Sequence, residues 1–168
     1  HGNTKVEVVL TLIPTLILAG LAVPTVKAIA DLAEKPQDAL EIKVVAKQFW
    51  WEYTYTDEDV VTANEMHVPT GQPVFLTLEG TDVIHSFWVP KLTGTQDAVP
   101  GRVNHMQFIA EEPGTYWGQC KEFCGLSHAN MRLIVIAHEP REFQTWLAEQ
   151  QEEAAYPADS LARQGQEV

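Results

Sequence analysis

The chain is poor in cysteine and poor in positive charge. Cys120 and Cys124 are its two cysteines among 168 residues, and 11 lysines and arginines face 23 aspartates and glutamates, for a net charge of −12. Such an acidic balance excludes nucleic acid as a partner. Cys-x-x-Cys-His is missing, so no cytochrome c domain is expected within these residues. Internal repeats are missing too. The first residues show no initiating methionine, no basic leader and no convincing cleavage point, which argues against a secretory signal there.

What the N-terminal part does contain is an uncharged run. Val8 to Val26 is nineteen residues long, bounded by Glu7 and Lys27. As a helix it would measure roughly 28 Å, about the thickness of a bilayer core. Pro14 and Pro24 would break a soluble helix but are tolerated in membrane helices. Residues 1–30 are therefore predicted to span a membrane. Lys5, Lys27 and Lys35 flank the run on both sides and do not set its orientation.

Residues 31–40, with Pro36, read as a polar linker. Leu40 to Thr56 is rich in β-branched and aromatic residues, and further short strands are predicted over 74–78, 83–89, 103–110, 115–119 and 131–138. Asp57-Glu58-Asp59, Thr70-Gly71, Val99-Pro100-Gly101 and Glu112-Pro113-Gly114 punctuate them. Many short strands at this spacing predict a mainly β sandwich or barrel over 41–138. A helix is predicted from Glu139 to about Ala155, with Phe143, Trp146 and Leu147 on one face, and then a polar tail to Val168. From Leu40 onward 8 basic residues face 19 acidic ones, so the acid belongs to this part of the chain. It is either a solvated surface or a field that steers a basic partner.

The chemistry concentrates in twelve residues, Cys120-Lys121-Glu122-Phe123-Cys124-Gly125-Leu126-Ser127-His128-Ala129-Asn130-Met131. Thiolate, imidazole and thioether form a soft ligand set that suits copper better than magnesium or calcium. Gly125 stands where such a loop must turn tightly. Three plainer readings compete: a Cys120–Cys124 disulfide in an oxidising compartment, a zinc site, and unremarkable residues beside inert thiols. Zinc rarely recruits methionine, and Cys-x₃-Cys with one nearby histidine is an incomplete zinc set.

The run Gly118 to Met131 resembles the dinuclear copper-A loop of cytochrome c oxidase subunit II. Asp82-Val83-Ile84-His85-Ser86-Phe87-Trp88-Val89-Pro90 is similar to that family's other ligand segment, and Asp97-Ala98-Val99-Pro100-Gly101-Arg102 and Gln48-Phe49-Trp50-Trp51 are similar to two more of its stretches. The resemblance implies a cupredoxin-like Greek-key β-sandwich, anchored by an N-terminal transmembrane helix and followed by a C-terminal helix. His1 to Glu7 resembles the approach to the family's second membrane helix, so the first helix of the usual hairpin is expected to be absent here.

Carried over residue by residue, the resemblance implies that Cys120 and Cys124 bridge two coppers. His85 and His128 take one copper each, Met131 is a weak axial ligand, and the carbonyl of Glu122 serves the second ion. The carboxylate of Glu122 would hold a magnesium ion shared with the catalytic subunit. In the family, electrons enter at an exposed tryptophan directly after the glutamine; here Phe49 holds that place, with Trp50 and Trp51 beside it. Asp97 and Arg102 are expected either at the interface with the catalytic subunit or in a surface ion pair. His67, His105 and His138 match no ligand position and read as structural.

The function so implied is that of a membrane-anchored oxidase subunit. It would accept electrons from a c-type cytochrome, free or part of another respiratory complex. It would pass them to haem in the catalytic subunit I, beside a subunit III, for reduction of oxygen to water coupled to proton pumping. The setting is a bacterial inner membrane with the copper domain on its periplasmic side. Quinol-oxidising relatives resemble this chain without the cysteines. A nitrous-oxide reductase shares the loop, but the membrane helix argues against it. A copper chaperone or storage protein, a copper-A domain of another respiratory complex, and a structural subunit with a disulfide are the competing readings.

Overall fold

In the computed structural model, residues 2–152, 163 and 165 are described. Helix α1 runs Thr4–Ala33 and therefore takes in the start of the expected linker. Asn3 caps it, its side chain accepting from the backbone N–H of Lys5 and Val6. Pro14 and Pro24 sit inside the helix, and no residue of it is buried against the rest of the chain. It is long and apolar enough to cross a membrane.

The strands are β1 (Leu40–Lys47), β2 (Trp50–Tyr55), β3 (Val60–Ala63), β4 (Glu65–Pro69), β5 (Pro73–Gly80), β6 (His85–Trp88), β7 (Thr95–Ala98), β8 (Asn104–Ile109), β9 (Gly114–Gln119) and β10 (Arg132–His138). They form a five-stranded sheet in the order β3-β2-β1-β5-β8, a three-stranded sheet β4-β10-β9, and the pair β6-β7. Two pairings are parallel, β1 with β5 and β4 with β10, and both need long crossovers. Together with the sandwich core this is the cupredoxin-like fold. Helix α2 spans Pro140–Gln150, its first position taken by proline. The helix ends at Gln150, short of the expected Ala155, with Gln151 as its C-cap and Glu152 beyond it; residues 153–155 and the polar tail, apart from 163 and 165, lie outside the described residues.

Alternation along the strands builds the core. Trp51, Tyr53 and Tyr55 of β2 point inward with Ile42 and Val44 of β1, Leu76 and Leu78 of β5, Phe87 of β6, and Leu133 and Val135 of β10. Phe143 and Leu147 bring α2 onto this core, and Trp146 packs beside them. Asn64 joins the sheets at a corner: its Oδ1 accepts from Trp51 N–H, and its carbonyl accepts from Ile134 N–H at 2.9 Å.

Two features differ from the sequence reading. Leu40 to Thr56 is a hairpin, turning at Gln48–Phe49, because β1 and β2 pair antiparallel with Lys47 opposite Trp50. Unbroken β-propensity through that stretch hides the turn. β3, β4 and β7 were not expected as strands; Thr95-Gln96-Asp97-Ala98 carries little strand propensity, and pairing with β6 supplies its order.

Where α1 meets the sandwich, the side-chain amide of Gln107 on β8 donates to the carbonyls of Asp31, Leu32 and Glu34 at 3.2–3.4 Å. Those carbonyls are among the acceptors a helix C-terminus leaves unsatisfied. Lys35 also pairs with Glu41.

Candidate metal centre

The loop between β9 and β10 is closed at its base by Cys120 N–H donating to the Met131 carbonyl at 2.9 Å. Inside it, a 3₁₀ turn over His128–Asn130 is held by His128 N–H to the Gly125 carbonyl and Met131 N–H to the His128 carbonyl, both 3.1 Å. Gly125 has φ +132°, a region where side chains are strained, and a Cβ there would meet Gln48 Nε2 at 2.9 Å and the Phe49 ring at 3.2 Å. Lys121 N–H donates to the Ser86 carbonyl at 3.0 Å, which ties the loop to β6 and so to His85.

These constraints bring five side chains to one buried point. Sγ of Cys120 and Sγ of Cys124 are 3.9 Å apart and unbonded. His85 Nδ1 lies 3.9 Å from Cys120 Sγ, His128 Nδ1 3.5 Å from Cys124 Sγ, and Met131 Sδ 3.7 Å from Cys124 Sγ. The carbonyl of Glu122 is 3.2 Å from Cys120 Sγ. Cys120, Cys124, His85 and Met131 are buried and His128 half-buried, while Glu122 is exposed. His85, Cys120 and Cys124 meet the spacing of a metal-ligand cluster.

Two thiols, two imidazoles and a thioether make a soft donor set whose chemistry would suit copper. One imidazole stands beside each sulfur, with a thioether beside one and a carbonyl beside the other.

Electrostatics sets the two thiols apart. Burial alone would raise Cys120, but hydrogen bonding with His85 and with the backbone at Ser86 and Glu122 outweighs it and brings this thiol below its usual value. Burial and the adjacent Cys120 push Cys124 up. Desolvation works against charge on His85, yet its bonds to Cys120 and Asp82 hold it above the ordinary imidazole value.

With this geometry in hand, the relatives are informative. The family model for the periplasmic domain of cytochrome c oxidase subunit II matches residues 58–138. The periplasmic domain of subunit II of cytochrome oxidase from Bradyrhizobium japonicum superposes with a TM-score of 0.66 at 33% identity, covering 69% of this chain and 96% of that one. The chain belongs to the cytochrome c oxidase subunit II family. Cytochrome c oxidase subunit 2 of Alkalihalophilus pseudofirmus is 41% identical over the whole of this chain and 51% of its own length. Quinol oxidase subunit 2 of Bacillus cereus is 32% identical over 92% of this chain and 55% of its own. The chain thus spans about half the length of the curated relatives it matches.

The aromatic stretch divides in three. Phe49 is half-buried with its ring against Gly125, and Trp50 is half-buried under Lys47 Nζ, 4.7 Å from its ring. Trp51 is fully buried, its ring edge-on to Phe87 and to His85, so it offers no surface to a donor. Period-two alternation from Trp51 through Tyr53 to Tyr55 is what sends it inward.

Several neighbours of the site were missed in the sequence. Phe123 is 75% exposed and Leu126 fully exposed, two apolar side chains turned outward from the loop. Asp82 Oδ1 lies 2.7 Å from His85 Nε2, a contact that the three-residue spacing could have suggested. Gln48 donates its side-chain amide to the Cys124 carbonyl at 2.5 Å. Asp97 and Arg102 are not paired by any described ion pair; the Asp97 carbonyl accepts from Asn104. His67 and His138 form a hydrogen-bonded pair away from the metal loop, 2.7 Å between Nδ1 and Nε2.

Proposed function

We propose that this chain is the electron-accepting subunit of a cytochrome c oxidase, with a dinuclear copper-A centre held by Cys120, Cys124, His85, His128, Met131 and the Glu122 carbonyl. The observation that carries the proposal is the convergence of two thiols, two imidazoles and a thioether in one buried loop. When bound, the copper pair supplies one-electron exchange at a site whose ligands scarcely move. The residues account for that rigidity: the loop is pinned at both ends by backbone bonds, Gly125 fits only as glycine, and the ligands are packed into the sandwich core.

Electrons would enter from a c-type cytochrome at Phe49 and Trp50, with the outward Phe123 and Leu126 supplying further apolar contact. Onward transfer would go to haem in the catalytic subunit I, for oxygen reduction and proton pumping in a complex that includes subunit III. Glu122 suits a magnesium ion at the subunit boundary, because its carbonyl faces the sulfur while its side chain is exposed. Asp97 and Arg102, both exposed, are assigned to the same boundary. Helix α1 would anchor the domain in the inner membrane with the sandwich on the periplasmic side. A quinol-oxidising role is disfavoured by the complete cysteine loop.

The test is copper content and spectrum of the intact complex. Two coppers per chain with a mixed-valence dinuclear signal supports the reading. One copper with a single-site blue spectrum, zinc in place of copper, or a metal-free disulfide would each overturn it.

A further inference from the structure

Asp82 makes more contacts at the metal loop than any feature of the sequence suggested. Its Oδ1 lies 2.7 Å from His85 Nε2 and accepts from Val83 N–H, also at 2.7 Å. Its Oδ2 accepts from Gln48 N–H at 2.6 Å. Gln48 in turn donates from Nε2 to the Cys124 carbonyl at 2.5 Å. The β1–β2 turn, the segment before β6 and the cysteine loop are therefore joined through one carboxylate and one amide. The side chain of Asp82 is 31% exposed, whereas His85 is fully buried, so the carboxylate stands at the rim and reaches in.

Each bond has a chemical consequence. A carboxylate at Nε2 fixes the hydrogen there, which leaves Nδ1 with its lone pair facing Cys120 Sγ. Such partners orient the ring and raise its basicity as a ligand. The second oxygen and the Gln48 amide act on a different object, the turn that carries Phe49. With Gly125 leaving room for the Phe49 ring, the amide fastens that turn directly onto the backbone of Cys124.

We propose that Asp82 and Gln48 are paired positioning residues, Asp82 setting the orientation and basicity of His85 and Gln48 holding the Phe49 turn against the cysteine loop. The inference rests on the copper reading and is separable from it. Negative charge one bond beyond a ligand favours the more oxidised metal pair, so its removal raises the reduction potential. Loss of the amide leaves that charge in place and alters only the contact between turn and loop.

The experiment uses the full chain in its intact, copper-loaded complex, with variants Asp82→Asn, Asp82→Ala and Gln48→Ala. Asp82→Asn keeps an acceptor for Nε2–H without the charge, so it should retain copper and shift its potential upward. A tenfold change in relative hold on the two oxidation states corresponds to 59 mV for one electron. Asp82→Ala loses both, and copper should be lost to a chelator roughly 10–100-fold more readily than from the parent. Gln48→Ala should keep the parent potential and spectrum while reduction by a c-type cytochrome slows. Should Asp82→Ala fail to fold, the Asn variant still decides the first half. An Asp82→Asn potential equal to the parent's overturns the role of Asp82, and a parent rate in Gln48→Ala overturns that of Gln48. A parent complex without copper would instead overturn the function proposed above.

Discussion

Acid should weaken the sandwich through His67, and the size of the effect follows from its surroundings. His67 on β4 and His138 on β10 lie within 13° of coplanar, and their facing nitrogens are 2.7 Å apart while the ring centroids are 5.0 Å apart. Nitrogens so much closer than centroids place the rings edge to edge in a straight N–H···N bond. Trp146 of α2 lies flat on His67 at 4.1 Å and 4°, covering that ring. Burial and the neighbouring His138 lower the His67 pKa to about 4. The folded state therefore resists a proton that the unfolded chain takes up at about 6.5. Stability from this group is complete above the unfolded value and is lost as pH falls between the two. At pH 5 the linkage relation gives about 2 kcal/mol, which partial exposure reduces to about 1 kcal/mol. His85, with its raised pKa, acts in the opposite sense, contributing stability below about 6.5 that fades as pH rises. A comparison of the parent with His67→Gln cancels that contribution. The assay is urea unfolding of the reduced, copper-free full chain in detergent, followed by tryptophan fluorescence at pH 7.5 and pH 5. The parent should lose about 1 kcal/mol more than His67→Gln over this interval. Equal losses in the two proteins would refute the reasoning.

Three further outcomes are expected. Met131→Leu should keep bound copper but change its potential, whereas Cys120→Ser should lose the dinuclear spectrum; identical behaviour of the two would remove the division between axial and bridging ligands. Gly125→Ala should cost about 1–3 kcal/mol and lower copper occupancy, because φ +132° is strained for alanine and the Cβ meets Gln48 and Phe49; metal content and thermal unfolding read this out. Raising ionic strength should slow association with a basic cytochrome, since charge attraction fades beyond roughly 8–10 Å. Phe49→Ala or Trp50→Ala should slow reduction at every salt concentration, and stopped-flow traces at parent rates would place the electron-accepting surface elsewhere.

Legibility in the sequence followed locality. The convergence of the cysteine loop was readable because its soft donors lie within twelve residues. His85 was readable only through its resemblance to a known segment, since a histidine 35 residues from the loop says nothing by itself about where it ends up. Asp82 was hidden because a carboxylate ahead of a strand is ordinarily a solvated charge. Trp51 was misassigned because composition shows an aromatic run, whereas inward or outward direction depends on where the turn falls. His67 and His138 meet only because β4 and β10 pair in parallel, with Ile136 opposite His67. No local rule brings them together.

That parallel pairing also orders events in time. Strand β10 closes the metal loop at its far end and pairs with β4, with Ile134 opposite Glu65, and it is among the last elements to be synthesised. Contacts this distant in the chain carry a loop-closure cost before they return any stability, so they form late. Until they form, Cys120 to Met131 would be a soft-donor segment whose far end, at Met131, is not yet held by β10 against β4. On the proposed reading, the copper centre would be a product of completed folding and not a nucleus for it. Delivery of metal would then wait for the sandwich, with Cys120 and Cys124 kept as free thiols until it closes.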